Sequence, residues 1–143
     1  MSRKVLIMIP AYNEEETVGE VVKSTRALFS EFDVVVIDDG SEDRTVEKAK
    51  ETGADIVSLP FHCGGSVVIQ IGYCIAAKFG YDYLIKVDGD GQHKPEEIPK
   101  LLDPLLRNEV DIAVGSRYLT SENNDDSTVK SGGRFFSSTL VSM

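Results

Sequence analysis

The residues of this chain best suited to chemistry are two aspartates that follow an apolar run. Asp88 and Asp90 stand two residues apart, directly after the β-prone residues 83–87. A buried strand that ends in carboxylates delivers hard oxygen ligands to the edge where open α/β sheets bind ligands. Mg²⁺ and Mn²⁺ prefer such ligands and are often held by one or two carboxylates together with phosphate oxygens. The spacing predicts a divalent-metal and phosphate site, with an acidic surface turn as the alternative.

The residues around this pair exclude a calcium-binding loop of the EF-hand type. Counted from Asp88, the sixth and twelfth positions hold His93 and Pro99, where such a loop has glycine and glutamate. Gly89 and Gly91 instead favour the close approach of a phosphate to the backbone.

Two other apolar runs also end in polar residues. Residues 5–9 lead into 10–14, which reads Pro-Ala-Tyr-Asn-Glu, and residues 34–37 lead into 38–41, which reads Asp-Asp-Gly-Ser. In a parallel sheet these ends lie along one edge, so their side chains converge with the aspartate pair. Clustered carboxylates repel one another unless a cation lies between them. One of these acidic groups is alternatively suited to accept a hydrogen bond from a ribose hydroxyl or a base N–H.

Several of these residues also have a purely structural interpretation. Tyr12 either stacks on a base or covers the edge of the sheet. Asn13 and Ser41 are suited to capping, and Asp38 is suited to supporting Asp39. These alternatives remain open at the level of sequence.

The spacing of apolar residues predicts alternating strands and helices. Asn13 is expected to cap the first helix, while Gly53 and Gly80 are expected to end the second and third. Pro95 suits the first turn of a fourth helix, which ends near residue 106. Helices between buried strands predict an α/β fold with a parallel sheet and right-handed crossovers. The predicted strands are 5–9, 34–37, 56–59, 83–87 and 112–114.

Composition limits the class of protein. A length of 143 residues predicts one domain, and a formal charge of −9 argues against a nucleic-acid-binding protein, which needs a basic face. Cys63 and Cys74 are too few for a disulfide scaffold and favour a reduced setting. The sequence has no signal-peptide pattern, and no apolar stretch approaches the ~20 residues that span a bilayer. We therefore expect a cytoplasmic protein.

Four segments occur in an order that resembles the family 2 inverting glycosyltransferases, which have the GT-A fold. They are residues 10–15, 36–41, 88–93 and 115–117, and the resemblance spans residues 4–119. The similarity is greatest to the polyprenyl-phosphate sugar transferases, such as the dolichyl-phosphate mannosyltransferases. It implies a Rossmann-like sandwich with a mostly parallel sheet flanked by helices. It also implies a GDP- or UDP-linked sugar donor, bound with Mg²⁺ or Mn²⁺.

The resemblance implies a role for individual residues of these segments. Asp39 would contact the nucleoside, and Asp88, Asp90 and Gln92 would hold the metal and the diphosphate. Arg117 would lie near the phosphates, where a guanidinium pairs bidentately with oxygens, although a surface ion pair is the alternative. Asp90 and Arg117 would be catalytic, because negative charge develops on the departing nucleoside diphosphate. The nucleotide pocket would be lined by Pro10, Ala11, Tyr12 and Glu14.

The chain departs from the family pattern at two places. Where the family has an asparagine before a glycine-rich loop, this chain has His62 and Cys63, and we interpret His62 as a loop residue without an assigned role. After Arg117 the acceptor-side motifs of the family are missing. Residues 1–119 are therefore predicted to be the donor-binding domain, and residues 120–143 a mobile loop and the start of an incomplete acceptor-side segment.

The last residues of the sequence include an apolar segment, and few residues follow it that could bury it. Phe135, Phe136, Leu140 and Val141 are expected to stay incompletely buried, which favours homodimerisation over docking on a membrane or a partner. Removal of residues 130–143 should then leave a soluble monomer that still binds nucleotide.

The predicted function is metal-dependent transfer of a sugar, with inversion, from a nucleotide-diphosphate sugar. A polyprenyl phosphate acceptor at the cytoplasmic face of a membrane is already anionic and needs no general base. The alternative is a non-catalytic nucleotide-sugar-binding module, or a fragment that needs a partner for activity. A sugar nucleotidyltransferase would need a phosphate loop rich in glycine and basic residues near residue 10. A phosphatase that uses Asp88 as nucleophile would need a hydroxyl at Gln92, so both of these classes are disfavoured.

Overall fold

Apolar runs that are buried on both faces form the centre of this protein. A computed structural model describes residues 3–91 and 95–115, and the backbone of 139–142. The strands are β1 Val5–Ala11, β2 Asp33–Asp38, β3 Asp55–Ser58, β4 Tyr83–Lys86, β5 Ile112–Val114 and β6 Thr139–Ser142. They form one sheet in the order β3-β2-β1-β4-β6-β5, in which β3, β2, β1 and β4 are parallel neighbours. The predicted α/β fold with a mostly parallel sheet is confirmed.

The helices connect the strands as expected for a parallel sheet. They are α1 Val18–Leu28, α2 Thr45–Lys50, α3 Gly65–Phe79 and α4 Ile98–Leu106, with a single 3₁₀ turn at Pro95–Glu97 before α4. Gly80 caps α3 with φ of 67°, as the sequence predicts. The helix α2 ends at Lys50, earlier than predicted, and Gly53, with φ of 72°, lies in the turn that follows it.

The strand β1 lies between two apolar layers. Ile7 and Ile9 belong to a cluster that includes side chains of α1 and α4, whereas Leu6 and Met8 belong to a second cluster with α3. All four side chains are at most 2% exposed. Alternate residues of a strand point to opposite faces, so burial on both faces requires the unbroken apolar run seen in the sequence.

The prediction that Asn13 caps the first helix is wrong. Thr17 occupies the N-cap position of α1, and Asn13 lies outside the helix with a positive φ of 53°. Its side-chain oxygen instead accepts a hydrogen bond from the Glu42 N–H at 3.0 Å. Asparagine tolerates this backbone conformation better than most residues, which explains its place in a turn.

The sequence did not predict β6, and this strand changes the interpretation of the end of the chain. The backbone of Thr139–Ser142 lies between β4 and β5 and pairs antiparallel with both. Leu140 and Val141 therefore belong to an interior strand and not to an unpaired segment. Removal of residues 130–143 is no longer expected to leave an intact domain. The boundary at residue 119 stays a prediction, because residues 116–138 lie outside the described part of the chain.

Across the described residues, we find no helix with the length and apolar character required to cross a membrane.

Candidate active site

A cavity of about 450 Å³ opens at the carboxyl ends of β1, β2 and β4. This is the edge at which the sequence predicted that polar strand ends converge. Its lining consists of residues from these strand ends and from the start of α3, namely Pro10, Ala11, Tyr12, Glu14, Asp39, His62, Gly65, Val68, Ile69, Lys86, Asp88, Gly89 and Asp90. The cavity therefore gathers Gly89 and seven of the residues for which the sequence implies a donor or metal role, and these roles stay predictions.

The loop after β1 is held in place by the loop after β2. The Asn13 N–H donates to Ser41 Oγ at 2.9 Å, and the Glu14 N–H donates to Thr45 Oγ1 at 2.7 Å. The Asn13 side chain completes this set by accepting from the Glu42 N–H. These bonds join backbone groups of one loop to side chains of the other, so the two strand ends are fixed relative to each other.

Asp43 reinforces the same pair of loops. Its carboxylate accepts hydrogen bonds from the Thr45 N–H at 2.9 Å, the Thr45 hydroxyl at 2.5 Å and the Glu15 N–H at 3.2 Å. Burial by itself raises the pKa of Asp43, but these hydrogen bonds outweigh burial and lower the pKa below its ordinary value. The resulting stabilisation is present above the unfolded-state pKa and is lost as the pH falls through the folded-state pKa.

Thr17 connects the β1 loop to the aspartate pair. Its hydroxyl lies 2.8 Å from the Gly89 carbonyl oxygen and 2.9 Å from Glu14 Oε2. The Gly89 N–H also donates to the Pro10 carbonyl at 3.2 Å, and a Cβ at position 89 would lie 2.9 Å from that same oxygen. Only glycine therefore allows the backbone between the two aspartates to approach β1 this closely.

Asp38 and Asp39 have different surroundings although they are neighbours. Asp38 is 1% exposed and accepts from Ser58 Oγ at 2.7 Å and from the Ser41 N–H at 3.2 Å. It is absent from the cavity lining, whereas Asp39 is part of that lining. The geometry favours the structural interpretation of Asp38.

Asp39 holds the loop that precedes α3. Its carboxylate accepts from the Cys63 N–H at 2.7 Å and the Gly64 N–H at 2.9 Å, and Asp39 Oδ2 lies 2.9 Å from His62 Nδ1. Gly40, with φ of 72°, lets this loop approach, because a Cβ there would lie 2.4 Å from the carbonyl carbon of Phe61. The loop therefore forms a wall of the cavity next to β2.

The interpretation of His62 as a loop residue without an assigned role missed its place in this cavity. The His62 ring stacks on the Tyr12 ring with centroids 4.0 Å apart and an interplanar angle of 29°. The signal in the sequence was weak, since a histidine in the loop before a helix is as often an exposed surface residue as part of a binding site. Contact with Asp39, which is 23 positions earlier, emerges only from the fold.

Lys86 was also missed, although the sequence contains a signal for it. It is the one charged residue in the run 83–87, and it precedes Asp88 by two positions, which places both side chains on one face of the strand. Lys86 Nζ lies 2.5 Å from Asp88 Oδ1, and both side chains are largely buried. The ammonium group therefore offsets part of the negative charge at the aspartate pair.

The oxygen ligands of the aspartate pair suit Mg²⁺ or Mn²⁺ in type. Among the described residues, no group of three or more His, Cys, Asp or Glu side chains is arranged to hold a metal ion. The cavity supplies two carboxylates, Asp88 and Asp90. Proteins often bind Mg²⁺ through one or two carboxylates, and phosphate oxygens of the ligand complete the coordination. Gln92 and Arg117, the other predicted metal and phosphate residues, lie outside the described part of the chain.

Comparison with known proteins agrees with this fold. Dolichol-phosphate mannosyltransferase of Pyrococcus furiosus is 38% identical over 122 residues, which are 81% of this chain and 34% of that protein. Protein RfbJ of Shigella flexneri is 29% identical over 133 residues, which are 93% of this chain and 98% of RfbJ. The chain spans about half or less of several other curated relatives it matches, such as 46% of polyprenol monophosphomannose synthase of Mycolicibacterium smegmatis.

Solved structures lead to the same group. Glucosyl-3-phosphoglycerate synthase from Mycobacterium tuberculosis, in complex with Mn²⁺, uridine-diphosphate-glucose and phosphoglyceric acid, superposes with a TM-score of 0.65 at 28% identity. The superposition covers 78% of this chain and 42% of that protein. The sequence pattern of Glycosyl transferase family 2 matches residues 6–140, nearly the whole chain. This chain therefore belongs to glycosyl transferase family 2.

Proposed function

We propose that this chain is the donor-binding part of a glycosyltransferase that moves a sugar from a nucleoside-diphosphate sugar to a polyprenyl phosphate, with inversion and with the aid of Mg²⁺ or Mn²⁺. The observation that carries the proposal is that one cavity is lined by Tyr12 and Asp39 together with Asp88 and Asp90. An aromatic ring with a carboxylate suits a nucleoside, and two hard carboxylates suit a metal with a diphosphate.

The donor class is supported by a structural relative. The synthase from Mycobacterium tuberculosis was solved with uridine-diphosphate-glucose and Mn²⁺. The cavity of this chain is acidic at Asp88 and Asp90, and the chain as a whole has a formal charge of −9. A diphosphate is repelled by such a surface unless a cation lies between them. Metal-dependent donor binding follows from these charges.

The proposed reaction is a displacement at the anomeric carbon of the sugar. The bond from this carbon to the donor phosphate breaks, and a bond to an acceptor oxygen forms on the opposite face, which inverts the configuration. Bound metal would stabilise the negative charge that develops on the leaving diphosphate. Asp88 and Asp90 would hold the metal, and Lys86 places a second positive charge beside Asp88.

The acceptor class is supported by the named relatives, which include a dolichol-phosphate mannosyltransferase. A phosphate acceptor carries negative charge on the attacking oxygen, so it does not require a general base. Such an acceptor lies at a membrane surface, and we propose that the chain acts there from the cytoplasmic side. Homodimerisation stays a prediction, which light scattering of the purified chain checks.

The direct test is calorimetric titration with nucleoside diphosphates and their sugar conjugates in the presence of Mn²⁺. We expect saturable binding of at least one of them. A separate assay with a polyprenyl phosphate and the preferred donor tests transfer. Binding with no transfer would support the alternative of a nucleotide-sugar-binding module or a fragment that needs a partner. Absence of any binding would contradict both.

Asp39 gives a second test of the donor assignment. We expect Asp39→Ala to weaken the binding of a nucleoside diphosphate both with Mn²⁺ and with a chelator, because Asp39 holds the cavity wall next to β2 and not the metal. The effect is about tenfold, the order expected when a charged hydrogen-bond partner is removed. Titration in both conditions measures it. If only the metal-dependent part of binding declined, Asp39 would belong with Asp88 and Asp90.

A further inference from the structure

We propose that His62 reads the base of the donor by accepting a hydrogen bond from a ring N–H. Uracil and guanine carry such an N–H on the edge used for base pairing, whereas cytosine and adenine have an unprotonated nitrogen at the same place. The inference rests on the proposed function, because it assigns a specificity-determining residue to the same donor cavity.

The contact with Asp39 fixes which nitrogen of His62 is available. An ionised carboxylate only accepts hydrogen bonds, so the Nδ1 atom, 2.9 Å from Asp39 Oδ2, carries the hydrogen. In the neutral imidazole the other nitrogen, Nε2, is then a hydrogen-bond acceptor. The carboxylate that orients the ring is itself held by the Cys63 and Gly64 N–H groups, so the orientation does not depend on His62 alone.

The stacking on Tyr12 fixes the plane of the same ring. One face of the imidazole lies against the Tyr12 ring at 4.0 Å, and one edge lies against Asp39. The His62 side chain is 52% exposed, while that of Asp39 is 4% exposed. The edge that carries Nε2 points away from this buried carboxylate, and His62 is part of the cavity lining. We therefore assign the Nε2 acceptor to the exposed side of the ring.

The charges of the cavity determine which part of the donor reaches His62. Asp88 and Asp90 would hold a diphosphate through its cation, and the carboxylate of Asp39, which has no such cation, repels an anion. The neutral base is the remaining part of the donor. A hydrogen bond to Nε2 places the pairing edge of the base against the edge of the imidazole ring, and side-chain hydrogen bonds to that edge are a common way of distinguishing bases.

The test compares two pairs of ligands that differ at this ring nitrogen: UDP with CDP, and GDP with ADP. Calorimetric titration with Mn²⁺ gives an affinity ratio for each pair. We expect the wild-type chain to prefer the N–H-bearing member of at least one pair. His62→Ala should lower that ratio by about fivefold to tenfold, the value of one hydrogen bond, while binding through the diphosphate persists.

Two further variants separate recognition from a structural effect. His62→Gln retains a donor for Asp39 and an acceptor for the base, so it should recover part of the ratio. Phe61→Ala is the matched control, because Phe61 is on the same loop, is 67% exposed and is absent from the cavity lining. It should leave the ratio unchanged. Thermal unfolding of each variant shows whether the loop change disturbs the fold.

The outcomes distinguish this inference from the proposed function. An unchanged ratio in His62→Ala, or a wild-type chain that binds all four diphosphates equally, would overturn the role of His62 and leave the donor cavity intact. An equal fall in the affinities of all four ligands would assign His62 to the cavity wall only, and would also overturn base reading. If no nucleoside diphosphate binds, the proposed function fails, and the inference fails with it.

Discussion

Replacement of Asp90 by asparagine is expected to lower the Mn²⁺-dependent affinity for a nucleoside diphosphate by roughly tenfold or more. Mutation of a residue that only hydrogen-bonds to a metal ligand already lowers metal affinity by about tenfold to a hundredfold. Asparagine keeps the size of the side chain and one oxygen, but it loses the charge that favours a divalent cation. Asp90 lines the cavity and follows β4 at its carboxyl end. Calorimetry with Mn²⁺ and with a chelator measures the effect.

The control for this experiment is Asp103→Asn. Asp103 lies on α4, is exposed and is not part of the cavity, so the same change of charge should leave binding unchanged. Thermal unfolding of both variants should match that of the wild-type chain. Equal affinity of the wild-type chain with and without chelator would refute the metal-dependent proposal, whatever Asp90→Asn does.

The second large effect is expected at the end of the chain. Val141→Pro should lower the free energy of unfolding by about 1–3 kcal/mol, because proline removes a backbone N–H and disturbs the ladder of an interior strand. Val141 pairs with Leu84 of β4 on one side and with Ile112 of β5 on the other. Urea denaturation followed by circular dichroism gives the change.

Val141→Ile is the matched variant, because it keeps the N–H and the β-branched side chain. Its unfolding midpoint should stay close to that of the wild-type chain. The nucleotide affinity of the folded fraction of Val141→Pro should be retained, because the described residues that line the cavity come from the ends of β1, β2 and β4 and from the loop and start of α3. A proline variant as stable as the wild-type chain would contradict the pairing of β6 in solution.

The sequence determined the parts of this protein that depend on local patterns. The apolar runs of β1, β2 and β4 required strands buried on both faces, and the polar residues that follow them had to meet at one edge of a parallel sheet. For this reason residue types and spacing sufficed to predict that Tyr12, Asp39 and Asp88 lie at one edge of the sheet, where they line one cavity. The glycine at position 80 likewise marked the end of α3.

The end of α1 nearest the cavity shows where local patterns fail. Asn13 is a residue type that often caps helices, but its side-chain oxygen accepts a hydrogen bond from the Glu42 N–H. The helix α1 begins only after Thr17. Hydrogen bonds between two loops that are far apart in the chain outweigh the local preference.

Tertiary structure alone decided the remaining features. His62 reaches Asp39 and Tyr12 because the loop before α3 folds over the end of β2, and Gly40 permits that approach. β6 enters the sheet between β4 and β5, so the strand that follows β4 in the chain is not its neighbour in the sheet. Each of these contacts joins residues that are distant in sequence. Residue spacing specifies which face of its own strand or helix a side chain occupies, but the partner across the sheet depends on the packing of the whole chain.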